Sequence, residues 1–219
     1  MKRFIIIFSV IFSVIFSACK NKSVQLPQIP EEGITSVYNH SQIWVFYKQE
    51  DDHIMADVNK NNLISTTHWI INIDKRLPMS QVLPVFKMVK EKRAKKTIHS
   101  VDGMHDYLNY ADIKHQTNAL FQIDSLTVTS YSNKDFDTFK KGQYNNLILL
   151  NPETILINQT KIDYSEIDDK INDFLSSDPV ILCYKNSLTY QKYLESKVLL
   201  SKILHNDCQL SNDEICIID

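Results

Sequence analysis

The chain has 219 residues, 43% hydrophobic and 23% charged, with a formal charge of −2. That balance suits a globular protein and gives length enough for one large domain or two small ones. With only 3 glycines, glycine-built phosphate loops are all but excluded, and the lack of net basic charge argues against a nucleic-acid binder.

Residues 1–18 read as an export signal. Lys2 and Arg3 form a basic start, and residues 4–16 are an apolar run broken only by Ser9 and Ser13. The run is too short for a comfortable membrane span and suits a signal core. It closes on Phe16-Ser17-Ala18-Cys19. Small residues just before a cysteine resemble a bacterial lipobox. That resemblance implies that Cys19 takes up diacylglycerol and becomes the mature N-terminus. Each buried methylene contributes about 0.8 kcal/mol, so two or three acyl chains hold a protein on a membrane without a spanning helix. A secretory signal cut elsewhere and an uncleaved anchor are the competing readings.

Residues 19–33 then read as a lipidated tether, with Pro27, Pro30 and the acidic pair Glu31-Glu32, an extended spacer with little to bury. Residues 41–48 are aromatic and β-branched and predict a strand, apolar on both faces. A short strand over 54–58 and a return over 63–67 complete an N-terminal hairpin. Residues 69–73 predict the next strand. Ser80 is a natural N-cap, and Val82, Val85, Phe86 and Val89 fall at helical spacing. A strand over 98–101, a helix over 105–121 and a strand over 126–131 follow. Phe136 and Phe139 suggest a short helix in the connector, and residues 147–150 suggest a strand. Residues 155–204 read as strand, helix, strand, helix, with Ser165 as N-cap and Ile167, Ile171, Phe174 and Leu175 as the first helix's apolar face. Residues 215–218 read as a final strand.

The segment 155–204 has an echo earlier in the chain. Ile155, Leu156, Ile162, Ser165, Ile167 and Ile171 fall 85 positions after Ile70, Ile71, Leu77, Ser80, Val82 and Phe86. With two residues dropped from the mid-loop, Ile181, Tyr190, Tyr193 and Ile203 match Ile98, Tyr107, Tyr110 and Leu120. Two copies of one unit are the simplest cause. The expected fold is α+β: two tandem β-α-β-α(-β) repeats, over 34–131 (with the hairpin) and 132–219, their short helices packed on one face of mixed sheets.

The second copy, ILINQTKIDYSEI (155–167) followed by VILCYKNSLTYQKYL (180–194), resembles the periplasmic domain of the ExbD/TolR family of biopolymer-transport proteins. Ile157, Ile162, Glu166, Ile167, Asn186 and Tyr190 fill the family's places: isoleucine-rich strand, polar turn, acidic helix entry, second strand ending in a polar loop, and a tyrosine opening the next helix. Members couple a proton gradient through an aspartate in an N-terminal membrane helix, whereas residues 4–18 contain no acidic residue. The resemblance therefore implies a fold and a periplasmic binding or docking role rather than energy transduction.

The candidate chemistry is sparse. His99, Asp102, His105, Asp106, Asp112 and His115 cluster in sequence, but the matched positions of the second copy are apolar at Leu182, Leu188 and Val198, so a metal site is not expected. Ser65 and His68 lack a nucleophile elbow. The run 87–96 holds six basic residues and Glu91; a solvated helix face is the plain reading, an anionic membrane or acidic partner the sharper one. Tyr107, Tyr110, Tyr190 and Tyr193 either pack helices onto sheets or form a candidate binding ledge. Cys208 and Cys216 frame a short loop and are candidates for a disulfide, while Cys183 reads as a buried thiol.

Taken together, the sequence predicts a non-enzymatic, lipid-anchored binding or scaffold protein of the bacterial cell envelope, periplasm-facing or at the outer membrane. Its partners would be the membrane, through the N-terminal lipid, and an envelope protein, with no cofactor and no nucleic acid. An accessory subunit of a biopolymer-transport complex and a lipid-anchored hydrolase are the alternatives.

Overall fold

The computed structural model describes residues 22–95, 101–140, 146–176, 178–204 and 208–218. The signal segment 1–18, Cys19, His99 and most of the strand expected at 98–101 lie outside them. In chain order the elements are β1 (Gln28–Ile29), β2 (His40–Glu50), β3 (His53–Val58), β4 (His68–Ile73), α1 (Met79–Ala94), β5 (Asp106–Asp112) and β6 (Thr117–Gln122). They are followed by β7 (Thr127–Ser132), α2 (Asn133–Phe139), β8 (Leu147–Leu150), β9 (Thr154–Ile157), β10 (Thr160–Asp163), α3 (Ile167–Phe174), β11 (Val180–Lys185), α4 (Tyr190–Ile203) and β12 (Leu210–Ile218). Among the described residues no helix is long and apolar enough to cross a membrane.

The strands form two six-stranded mixed sheets. In the first, β2, β4 and β5 run parallel, and β3 and β6 turn back on its two sides. β1 pairs parallel with the end of β5, on the edge that β4 leaves open. In the second, β8, β11, β12 and β7 run parallel, and β9 and β10 add an antiparallel flank. Asn158 (φ 48°) and Gln159 (φ 76°) make the two-residue β9–β10 turn, whose twist suits a hairpin when both central residues have positive φ. The Asn158 side chain is fixed there by the Leu147 N–H at 2.9 Å and the Phe174 carbonyl at 2.8 Å.

The inner faces of both sheets, with α1, α3 and α4, share one apolar core. Met79, Val82, Val85, Phe86 and Val89 give α1 a single buried stripe. α4 is buried on more sides, at Tyr190, Tyr193, Leu194, Lys197, Val198 and Leu200. The two helix entries are stitched together: the Met79 N–H donates to Leu188 O at 2.8 Å, and the Tyr190 N–H donates to Leu77 O at 2.8 Å. This arrangement sets β4–turn–α1 against β11–turn–α4. Their inward residues correspond 111 positions apart, Leu77 with Leu188, Met79 with Tyr190, Val82 with Tyr193 and Val89 with Leu200, all buried.

Residues 105–121 do not form a helix; they form β5, a turn containing Gln116 (φ 53°) and β6. Consequently 70–121 and 155–204 do not share one order of elements, and the 85-residue register is not a structural repeat. The strand over 126–131 is β7, but it joins the second sheet, not the first copy. Residues 63–67 are turns rather than a return strand. Helices do not keep to one face of each sheet: α2 covers the outer face of the second, where Phe136 packs with Cys183, Ile215 and Ile217. Ser80 is not the N-cap of α1: the helix starts on Pro78, whose side chain cannot accept a hydrogen bond, and the Ser80 N–H is satisfied by Asn186 O at 2.7 Å.

From Lys22 on, the segment read as a tether runs along the domain and is tied to it at several points. Lys22 pairs with Asp57 at 2.6 Å, the Gln25 N–H donates to Asp74 at 3.1 Å, and Ile29 is fully buried. Glu31 pairs with Lys202 at 3.0 Å.

Candidate functional site

The tyrosines proposed as a binding ledge are not at the surface. Tyr107, Tyr110, Tyr190 and Tyr193 are 6%, 1%, 0% and 0% exposed. Tyr107 and Tyr110 stand on β5, and Tyr190 and Tyr193 lie in the layer between the sheets. They are core residues, and burial pushes the Tyr110 hydroxyl up to about 12.

Cys183 is a buried thiol, as its apolar surroundings suggest, but Cys208 and Cys216 are placed otherwise than expected. None of Cys183, Cys208 and Cys216 is in a disulfide. Cys208 precedes β12 and lies against Asp178 O at 3.5 Å, whereas Cys216 is near its far end, paired in register with Tyr184. A strand rises about 3.3 Å per residue, so the two are roughly 20 Å apart along β12, and a disulfide needs Cα atoms within about 7 Å.

No group of three or more metal-binding side chains occurs among the described residues. The described histidines of the candidate cluster, His105 and His115, are tied up locally. His115 Nδ1 meets Asp112 at 2.7 Å, and His105 meets Asp124. The His105 N–H donates to His68 Nδ1 at 2.9 Å, and the two rings stack with centroids 5.4 Å apart. His68 therefore uses one ring nitrogen on the backbone and is not oriented toward Ser65 by a carboxylate.

The basic run is not a uniformly solvated face. Arg93 lies over the Trp69 ring at 3.6 Å and donates from Nε to Asp106 at 3.1 Å. Burial raises the Asp106 carboxyl's pKa, and the guanidinium only partly offsets this. Lys90 donates to Thr127 Oγ1 at 2.9 Å. Lys87 is exposed.

A second buried charge went unread in the sequence. Lys197 and Glu214, 6% and 1% exposed, form an ion pair, and the Tyr193 hydroxyl donates to Glu214 at 3.0 Å. Burial first, then the Glu214 carboxylate, push the Tyr193 pKa well above the ordinary range. Nothing in a lysine inside LESKVLL marks it as buried; only the middle-layer position of α4 does so. Lys197 also reaches the wall of a cavity of about 460 Å³ bounded by residues 121–126 and 209–212.

The site best shaped to receive something is a groove of about 780 Å³ between α1 and β7. Leu83 and Phe86 of α1, Val128 of β7 and Ile218 of β12 make it apolar, and Lys87 and Lys90 stand on its rim. It lies beside β7, a terminal strand of the second sheet. Thr129 and Ser130 are exposed, and one edge of β7 carries no partner strand among the described residues. An unpaired strand edge presents backbone donors and acceptors to an incoming chain, and an adjacent apolar groove takes its alternate side chains. Comparisons with protein-family models, curated proteins and solved structures give no match.

Proposed function

We propose that this protein is a non-enzymatic docking module of the cell envelope. It is held on a membrane by acyl chains on Cys19 and binds an extended segment of a protein partner along β7. The observation that carries the reading is the free edge of β7 beside the apolar groove. A partner strand would gain backbone hydrogen bonds from the edge and specificity from the groove. An acidic residue in it would meet Lys87 and Lys90.

The ExbD/TolR-like reading of the second half has support from the placement of its key residues. Ile157 closes β9, a polar turn follows, and Ile162 lies in β10. Glu166 and Ile167 stand at the entry to α3, Asn186 directly follows β11, and Tyr190 opens α4. Tandem duplication is likewise proposed, in a register of 111 rather than 85 residues. It is supported by the matched burial of β4–turn–α1 and β11–turn–α4 and by parallel neighbours on both sides of β4 and β11.

Two measurements test the proposal. Cys19→Ala is expected to move the protein from the membrane to the soluble fraction of fractionated cells; retention on the membrane would refute the anchor. A photo-crosslinker at Thr129 is expected to capture a discrete partner in intact cells, and Val128→Asp is expected to abolish the adduct. An adduct insensitive to Val128→Asp would refute the groove. An inner-membrane motor protein in that adduct would favour the accessory-subunit reading over a free-standing binder.

A further inference from the structure

The course of residues 22–33 along the domain limits how far the domain can stand from a bilayer. Between Cys19 and Lys22 there are three residue steps, which span at most about 11 Å when fully extended. Lys22 forms an exposed ion pair with Asp57 at 2.6 Å and lies over the Phe46 ring at 5.7 Å. Gln25, Ile29 and Glu31 continue the attachment. The polar headgroup zone on each side of a bilayer is only about 5–8 Å deep. A chain acylated at Cys19 therefore brings the surface around Phe46 to the interface.

We propose that the outer face of the first sheet, centred on Trp44 and Phe46, is the surface this domain lays against the membrane that holds its lipid. The inference rests on the reading that Cys19 is acylated. Ile43 and Val45 point into the core, so Trp44 and Phe46, alternating with them, point the other way. Both are half-buried, and they flank the part of this face that Val37 covers against Ile70, Tyr107 and Leu120. Met55 stands across from Lys48 on the adjoining β3, on the same face. Aromatic rings flanked by lysine stems are the side chains that partition to the headgroup level. Glu50, Asp51 and Asp52 at the neighbouring hairpin tip, with Asp57, outnumber Lys22 and Lys48. Contact is therefore carried by the rings rather than by attraction to anionic lipid. A short leash raises the effective concentration of the surface at the bilayer to the millimolar range, so a weakly binding face suffices.

The test uses the full-length acylated protein in phosphatidylcholine vesicles containing nitroxide-labelled acyl chains. The chain has two tryptophans, and Trp69 is fully buried, so quenching reports Trp44. Emission is expected to be quenched in vesicles. Trp44→Phe is expected to remove the quenching, and Trp69→Phe to keep it. A 15-residue Gly/Ser insertion between Lys20 and Asn21 lowers the effective concentration about tenfold and is expected to lower the quenching. Acylated protein that is unquenched, or equally quenched after Trp44→Phe, overturns the docking surface while leaving the anchor in place. Mass spectrometry showing no acyl group on Cys19 overturns the anchor and this inference together.

Discussion

Replacing Lys197 by methionine removes the cation from a pair in which both partners are almost fully buried. Methionine keeps much of the side-chain volume, so the packing of α4 is little disturbed. Glu214, 1% exposed, is left with the Tyr193 hydroxyl at 3.0 Å as its remaining hydrogen-bond partner on that side. Stripping one partner from a buried ion pair costs about 3–5 kcal/mol, because the other charge stays desolvated. In a chain of this length each kcal/mol moves the melting temperature by about 2–4 °C, so the variant is expected to melt roughly 6–20 °C lower. Removing both charges in Lys197→Met/Glu214→Leu is expected to recover most of the loss, since an apolar pair of similar volume avoids both desolvation costs. The assay is urea unfolding of the non-acylated Cys19→Ala protein, followed by far-UV circular dichroism. A single-variant cost below about 1 kcal/mol, the value typical of exposed pairs, would refute the buried-pair reasoning. So would a double variant no more stable than the single one.

Three further outcomes are expected. A Cβ on Gly33 would lie 2.5 Å from the Tyr110 hydroxyl and 3.0 Å from Leu120 O, so Gly33→Ala should cost about 1–3 kcal/mol of unfolding free energy by overpacking; Tyr110→Phe in the same chain should return part of it. In the Cys19→Ala protein at pH 8, Ellman's reagent should label Cys208 slowly and all three thiols only after denaturation. Burial holds Cys183 up to about 12 and Cys216 is buried; one reactive thiol in denaturant would reveal a Cys208–Cys216 bridge instead. Burial raises the Asp74 pKa, but hydrogen bonds from Arg76 and the Gln25 N–H outweigh it and leave the net below 3.8. Its stabilising effect is thus complete above pH 4 and lost as the pH falls through the depressed folded value. The stability gap between wild type and Asp74→Asn should shrink in acid, and a gap that widens below pH 4 would contradict the sign.

Local pattern in the sequence was enough for much of the secondary structure. The run IWVFYK is a strand wherever it is placed, because branched and aromatic residues with apolar character on both faces suit a covered strand. The stripe Val82, Val85, Phe86 and Val89 is helical by spacing alone, and Tyr190, Leu194 and Val198 likewise. Tertiary structure decided the rest. β5 is buried at almost every position, so DYLNYAD shows no alternation to separate strand from helix, and only its pairing with β4, β1 and β6 makes it a strand. The four tyrosines looked like a ledge because their spacing matched; enclosure between two sheets turned Tyr110, Tyr190 and Tyr193 into core, and Tyr107 is buried with Ile70 and Leu120 on the other face of β5. Lys197 and Glu214 lie far enough apart in the chain that only the meeting of α4 with β12 makes them a pair. The groove beside β7 exists because that strand, adjacent to the first sheet's elements in sequence, crosses to the edge of the second. Sequence fixes which residues must leave water; which neighbours they leave it with depends on long-range pairing, which no local period encodes.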